Sequence, residues 1–362
     1  MDAHSESPNL DFLRTSAVSF VLLFHVLLYF QHTTVWGLNL HSIGHWGVLI
    51  FFVHTSLVLM FSMERQAARV PGEPIFWSFL FRRIVRIYPL SILSVLTVAV
   101  LRLPMGHVRQ GVFFSVNLHL PGLLSNLFLV QDLTHTESNL APLWSLPYEM
   151  RMYLVLPLLY LIAKQVRSPI PVLILWAGGV LAGLYALHLE PHGFSEWFIY
   201  VPCFLSGVVA YKLVSLPHLK LPAWIWPAAL GLITWVYVSA PSAQRSWWCC
   251  LTLGIVLPQF REISNAAFRK IFQLVARYSY GIYLTHFIFI WLAFDKLSFL
   301  PKAMQIAIFV LTVVIVPVAL YHLVEEPMIR AGRRFSNQWS TKRKTLSTWS
   351  PSRSPSQGTY SG

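Results

Sequence analysis

Charge is scarce in this chain. Of 362 residues, 11% are charged, and only 14 are Asp or Glu. Soluble domains carry about 25% charged residues, so a water-exposed globular surface is excluded. Cysteine is scarce too. Cys203, Cys249 and Cys250 lie in or beside apolar runs. Their number and spacing exclude a disulfide framework and fit no metal-binding pattern, which leaves them packing roles. The first eleven residues, MDAHSESPNLD, lack the basic start of a cleaved signal peptide, so the first apolar run is expected to remain as a helix. No internal repeat is evident.

What is abundant is apolar sequence: 56% of the residues are hydrophobic and 15% aromatic. The pattern predicts an all-α integral membrane protein with about ten transmembrane helices, over 12–30, 43–62, 84–102, 147–163, 171–187, 195–213, 222–239, 245–258, 278–296 and 304–325. The eighth span is the shortest. The run Leu123 to Val130 is too short to cross and reads as interfacial or re-entrant. The net charge of +13 is read by its placement and not as nucleic-acid binding. With a cytoplasmic N-terminus and ten spans, 21 of the 27 basic residues fall on the cytoplasmic side, which puts both termini there. Three regions follow: a cytoplasmic segment 1–10, a transmembrane domain 11–330, and a basic, disordered tail 331–362 drawn to anionic lipid.

Polar residues inside such spans carry the chemistry, because hydrocarbon penalises them. The first span, FLRTSAVSFVLLFHVLLYF, holds Arg14 and His25. Eleven residues are close to three turns and about 16 Å, so both share one helix face, with the guanidinium near the rim and the imidazole deep in the bundle. Arg83 and Arg86, three apart, also share a face at the cytoplasmic mouth, and Arg82 points elsewhere. Two guanidiniums so placed suit a phosphate, although anchoring at the inner membrane face is the commoner reason for such a cluster. Glu149 stands at the outer end of the fourth span, where it can cap the helix, pair with Arg151 or function. His286 lies in the ninth span within a polar stretch from Ser279, and interhelical hydrogen bonding is its ordinary role. Glu325 and Glu326 end the tenth span against the helix dipole and call for compensation by Arg83, Arg86 or Arg14. His41, His45, His54 and His107 fit no metal spacing, and no metal site is expected. His54 is placed to face the bundle interior. Trp36, Trp46 and Trp144 could stack on sugar rings or anchor the chain at the interface.

In order, these pieces are Leu13-Arg14 … Phe24-His25, Gly47-Val-Leu-Ile-Phe-Phe-Val-His-Thr-Ser, Arg83-Ile-Val-Arg86-Ile-Tyr-Pro89, Leu143-Trp-Ser-Leu-Pro-Tyr-Glu149 … Tyr153-Leu-Val-Leu-Pro157, Tyr278-Ser-Tyr-Gly-Ile-Tyr-Leu-Thr-His286 and Glu325-Glu-Pro327. The ordered set resembles the membrane acyltransferase family 3, which includes bacterial O-acetyltransferases of surface polysaccharides. The resemblance runs from Leu10 to about Arg330. It implies a ten-helix enzyme of the inner membrane that moves an acyl group, usually acetyl, from cytoplasmic acyl-CoA to a hydroxyl of a glycan or lipid-linked sugar, with no permanently bound cofactor. Family positions fall on Arg14, His25, Arg83, Arg86, Ser145, Glu149, Tyr153, His286 and Glu325 or Glu326. Two departures stand out. His54-Thr-Ser56 replaces the usual Ser-Gly, which bears on packing near the donor. Met150-Arg151-Met152 precedes Tyr153 where Gln-Phe is usual, which adds a cation at the acceptor end.

The implied roles are His25 as general base, Arg14, Arg83 and Arg86 as the donor's phosphate clamp, and Ser145, Tyr153 and His286 near the substrates. Glu149 either orients His25 or binds the acceptor. Direct transfer and a histidine-linked acyl intermediate both remain open. The alternative is a secondary transporter using His25 and Glu149 as a proton relay.

Overall fold

The structure is a computed structural model and describes residues 7–35, 38–69, 75–109, 111–116, 119–189, 193–216 and 220–335. It is built almost wholly of helices. α1 spans Pro8–Tyr29, α2 Ile43–Arg69 and α3 Ile75–Val100. A hairpin of His107–Arg109 and Val112–Phe114 and the short α4, Leu120–Phe128, follow. α5 spans Leu146–Gln165, α6 Ile170–His188, α7 Trp197–Val214, α8 Ile225–Ser239 and α9 Ala243–Val256. α10, Ala266–Ile290, runs into a π-helical turn over Trp291–Lys296; α11, Lys302–Leu320, runs into another over Tyr321–Glu325.

Every expected span lies on one of these helices, and the short run from Leu123 begins on α4. Among the described residues, seven helical stretches are long and apolar enough to cross a membrane: those containing α1, α2, α3, α5, α6, α7 and α11. α8 is apolar but has 15 residues.

Several boundaries differ from expectation: α3 begins at Ile75 and not at 84, α10 begins at Ala266 and not at 278, and α2 runs to Arg69 and not to 62. α1 begins four residues early, at Pro8, because its start is locally satisfied. Ser7 caps it by accepting from Leu10 N, and Glu262 accepts from Ser7 Oγ at 2.8 Å and Asn9 N at 3.0 Å. At the other end, residues 331–335 continue the last helix and are not disordered. Gly332 seats against Val85, and Phe335 packs on Phe81 at 5.0 Å. The tail beyond 335, residues 1–6 and Trp36 lie outside the described residues.

Glycines let the central helices approach closely, the usual device where lipid gives no hydrophobic drive to association. A Cβ at Gly207 of α7 would lie 2.3 Å from Val53 O of α2, and one at Gly254 of α9 2.4 Å from Ser206 O of α7. α1 and α10 run parallel, since Arg14 meets Ser279 and His25 meets His286. α8 and α9 span the depth of the bundle despite their length. Trp226, opening α8, packs on Phe12 near the start of α1, whereas Tyr237 near its end stacks on Trp46 at the start of α2. The turn after α9 brings Leu257 and Pro258 to a cavity they share with Ser7 and Asn9.

Candidate functional site

The seam between α1 and α10 pairs polar groups of the two helices. Arg14 Nε donates to Ser279 Oγ at 2.6 Å, and Ser279 Oγ donates to Ala276 O at 2.9 Å. Further along, His286 Nε2 lies 3.1 Å from His25 Nδ1. Each imidazole also places Nδ1 on the carbonyl one turn back, His25 on Val21 O at 2.9 Å and His286 on Ile282 O at 3.1 Å. Phe287 stands edge-on to His25 at 5.3 Å. The roof is the β-hairpin, whose Phe113 packs on Phe287 and on Tyr29.

Below the histidines lies a cavity of about 110 Å³ lined by Arg14, Arg83, Arg86, His54, Glu149 and Tyr153, among others. Arg83 and Arg86 do share a face, as α3 requires. Arg82 turns away and donates to Gln66, which in turn donates to Ser78. Arg83 sits over the Phe79 ring at 5.9 Å, and its Nε is buried with no hydrogen-bond partner. No carboxylate among the described residues forms an ion pair within 4 Å of Arg14, Arg83 or Arg86. Three guanidiniums thus face one small space with no carboxylate in ion-pair contact, and a bound anion would relieve their repulsion further. Glu149 is bonded by Tyr153 OH and acts on Arg14, Arg83 and Arg86 across the cavity. On the α1-start side the cavity meets a second one that shares Arg14, His54, Val58 and Arg86 and adds Arg65 and Arg277.

The two terminal carboxylates separate. Glu326 is bonded by Arg330 Nη2 at 2.6 Å and by His322 Nδ1 at 2.9 Å on the surface. Glu325 is 1% exposed, and neither of its oxygens has a hydrogen-bond partner. Arg86 and Arg14 are the charges it faces. Successive residues of a helix point about 100° apart, so adjacent carboxylates can face inward and outward.

On the other side of the histidines is a cavity of about 570 Å³ lined by His25, His41, His45, Trp144, Tyr200 and Tyr237 among others. It has an aromatic wall. Trp144 stacks on His45 at 5.8 Å, and His45 Nδ1 lies 2.7 Å from Tyr237 OH. None of the described residues lining it is Asp, Glu, Lys or Arg. Val48 and Tyr283 line both this cavity and the basic one, and form the partition between them. Tyr283 OH donates to Pro142 O at 2.8 Å and stands 2.8 Å from Ser145 Oγ, so the partition is tied to the 3₁₀ turn that opens α5.

Set against the sequence reading, Arg14, Arg83, Arg86, Ser145, Glu149 and Tyr153 come together around the basic cavity. His25 and His286 meet each other. Glu149 is not placed to orient His25: the two line different cavities, and His286 makes that contact. Arg151 does not stand free beside an acceptor, nor does it pair with Glu149. It forms an ion pair with Asp132 and lies over the rings of Tyr148 and Phe194. Trp46 is fully buried and donates to Thr234 Oγ1 at 2.9 Å, whereas Trp144 reaches the outer cavity. Among the described residues no group of three or more His, Cys, Asp or Glu is placed to hold a metal ion. Sequence reasoning gave Tyr283 only a general polar role. Its position three residues before His286, on the same helix face, was the available signal.

A basic cavity and an uncharged one thus meet at one partition inside a helical membrane bundle. Residues 7–322 match a family model described as an acyltransferase domain, that of acyltransferase family 3. The chain belongs to this family of membrane acyltransferases and is an enzyme that transfers an acyl group. It matches no curated protein and no solved structure.

Proposed function

We propose that the enzyme moves an acyl group, acetyl in the simplest case, from cytoplasmic acyl-CoA to a hydroxyl of a glycan or lipid-linked sugar, with His25 as general base. The observation that carries this reading is the partition at Val48 and Tyr283, where the two cavities come within one side chain of each other. In this reading all ten long helices cross the inner membrane and both termini are cytoplasmic. The parallel packing of α1 and α10 supports it, since α8 and α9 must then either both cross or both not cross. The end-to-end reach of both helices favours crossing.

The donor's phosphates engage Arg14, Arg83 and Arg86 as charge-assisted, bidentate partners. Its pantetheine arm points past Tyr283, so the thioester carbonyl reaches the His25 end. The acceptor lies in the outer cavity, where Trp144 and Tyr200 offer ring faces to an uncharged, hydroxylated ring. His25 takes the proton of the acceptor hydroxyl as its oxygen attacks the thioester carbon. The carbon–sulfur bond then breaks, and the CoA sulfur leaves with the proton returned from His25. The products are the O-acyl ester and free CoA thiol.

The test is thiol release from acetyl-CoA by the full chain in nanodiscs, with membranes of the source cell as acceptor. Release should depend on acceptor and fall at least about 10²-fold in folded His25→Ala. Undiminished release in that variant would remove His25 as the base. Acyl-CoA left intact with every acceptor would remove the proposed substrates.

A further inference from the structure

We infer that His286 is a positioning residue: it holds His25 in the tautomer that carries its proton on Nδ1 and leaves Nε2 as the basic atom. The inference rests on the acyl-transfer reading and names the atom and the partner that reading leaves open.

The assignment follows from what each neighbour can accept or donate. A backbone carbonyl only accepts. His286 Nδ1, 3.1 Å from Ile282 O, therefore carries a proton. In a neutral ring the other nitrogen is then bare, so His286 Nε2 is an acceptor. His25 Nδ1 faces two acceptors, Val21 O at 2.9 Å and His286 Nε2 at 3.1 Å. It must hold a proton, shared between them, and a neutral His25 then has a lone pair on Nε2. The reverse assignment would set the bare Nδ1 of each ring against a carbonyl oxygen, lone pair to lone pair, twice in one buried site.

The ordering runs one way along the seam: Ile282 O fixes His286, and His286 with Val21 O fixes His25. His286 is 1% exposed and cannot exchange that role with water. The ring stack limits movement further, with His25 and His286 centroids 4.9 Å apart and Phe24 and Phe287 edge-on to His25. His25 lines the outer cavity, where the acceptor hydroxyl is proposed to sit. When Nε2 takes the hydroxyl proton, the positive charge that develops strengthens the Nδ1–H bond to His286, as expected of a bond whose donor becomes ionised. His286 thus does for His25 what an orienting carboxylate does in a hydrolytic triad, but with a neutral group suited to a site remote from water.

Two variants separate this from mere packing. In His286→Gln the side-chain oxygen can still accept from His25 Nδ1; in His286→Leu the side chain cannot, and Val21 O is left to hold that proton. With acetyl-CoA and a fixed acceptor, His286→Leu should lower kcat by about 10²-fold while KM for acetyl-CoA stays within about twofold, and His286→Gln should recover at least a tenth of wild-type kcat. Loss of an orienting group in the hydrolytic triad lowers kcat about 10⁴-fold, and the smaller figure reflects the retained bond to Val21 O. Equal kcat in the two variants, or a loss confined to KM, overturns the inference.

Nitrogen NMR of the ¹⁵N-histidine-labelled full chain in nanodiscs needs no turnover and so stands apart from the acyl-transfer reading. The His25 signals, identified by their loss in His25→Asn, should show a protonated Nδ1 and a bare Nε2 in the wild type, and a mixture of tautomers in His286→Leu. A wild-type His25 protonated on Nε2 would also overturn the inference.

Discussion

Arg14, which lines the basic cavity, is held to Ser279 by its Nε at 2.6 Å, and this bond leaves the two terminal nitrogens of its guanidinium uncommitted to Ser279. The serine serves as a peg that sets the angle of the fork. Lysine at this position keeps the charge and loses the peg, because an ammonium has no fixed side donor. Arg14→Lys should therefore raise KM for acetyl-CoA by about 10–100-fold, the equivalent of about 1.5–3 kcal/mol for a hydrogen bond to a charged group. Initial rates of thiol release against acetyl-CoA concentration check this, with kcat at saturation expected to change far less.

Glu325 and Glu326 are neighbours in sequence with opposite surroundings. Glu325→Gln removes the buried carboxyl that faces Arg86 and Arg14, and with it the means of offsetting their like charges from this side. The ligand-free protein should melt at lower temperature, and saturating CoA, whose phosphates replace the missing charge, should raise its melting temperature by more than it raises that of the wild type. Glu326→Gln, altering an exposed pair with Arg330, should leave both temperatures nearly unchanged. A CoA-induced shift that is equal in the wild type and Glu325→Gln would refute this.

The partition between the cavities should be functional. Tyr283→Ala opens the wall and lets water reach the thioester without an acceptor in place. Acetyl-CoA hydrolysis in the absence of acceptor should rise about tenfold or more, while transfer to the acceptor falls. Tyr283→Phe keeps the wall and loses only its hydroxyl contacts with Pro142 O and Ser145 Oγ, so hydrolysis should stay near the wild-type level. Parallel assays of free thiol and acylated acceptor measure the two fluxes.

Close helix contacts give a prediction free of the chemistry. Gly207→Ala forces a methyl to within 2.3 Å of Val53 O, a backbone atom that cannot swing aside. It should destabilise the bundle by about 1–3 kcal/mol. Gly231→Ala, with nothing within 4 Å of its new methyl, should be neutral or stabilising by up to about 1 kcal/mol. Equilibrium unfolding in detergent micelles compares the pair.

The helical periods made part of the site legible from the sequence. Eleven residues put Arg14 and His25 on one face, and three put Arg83 beside Arg86 and turned Arg82 away; all of these are distances along a single helix. The contacts that complete the site cross the fold and have no such ruler. His25 and His286 are 261 residues apart, and no local pattern states that α1 and α10 lie side by side and parallel. The same holds for Arg151. Its nearest sequence partner is Glu149, but the loop before α5 folds back and presents Asp132 instead. That Glu325 and not Glu326 faces inward depends on how the last helix packs against α1 and α3, which no local pattern states.

The parallel seam of α1 and α10 also sets an order of events during synthesis. The cations of α1 and α3 and the carboxylate of α5 are all inserted within the first half of the chain, before the histidine that would align the base. A nascent chain halted after α9 would possess most of the basic cavity and an unaligned His25, and so could hold a thioester with little means of using it. If His25 is the base, its alignment waits for the ninth long helix to dock against the first, and the closing of the bundle and the arming of the enzyme would be a single step.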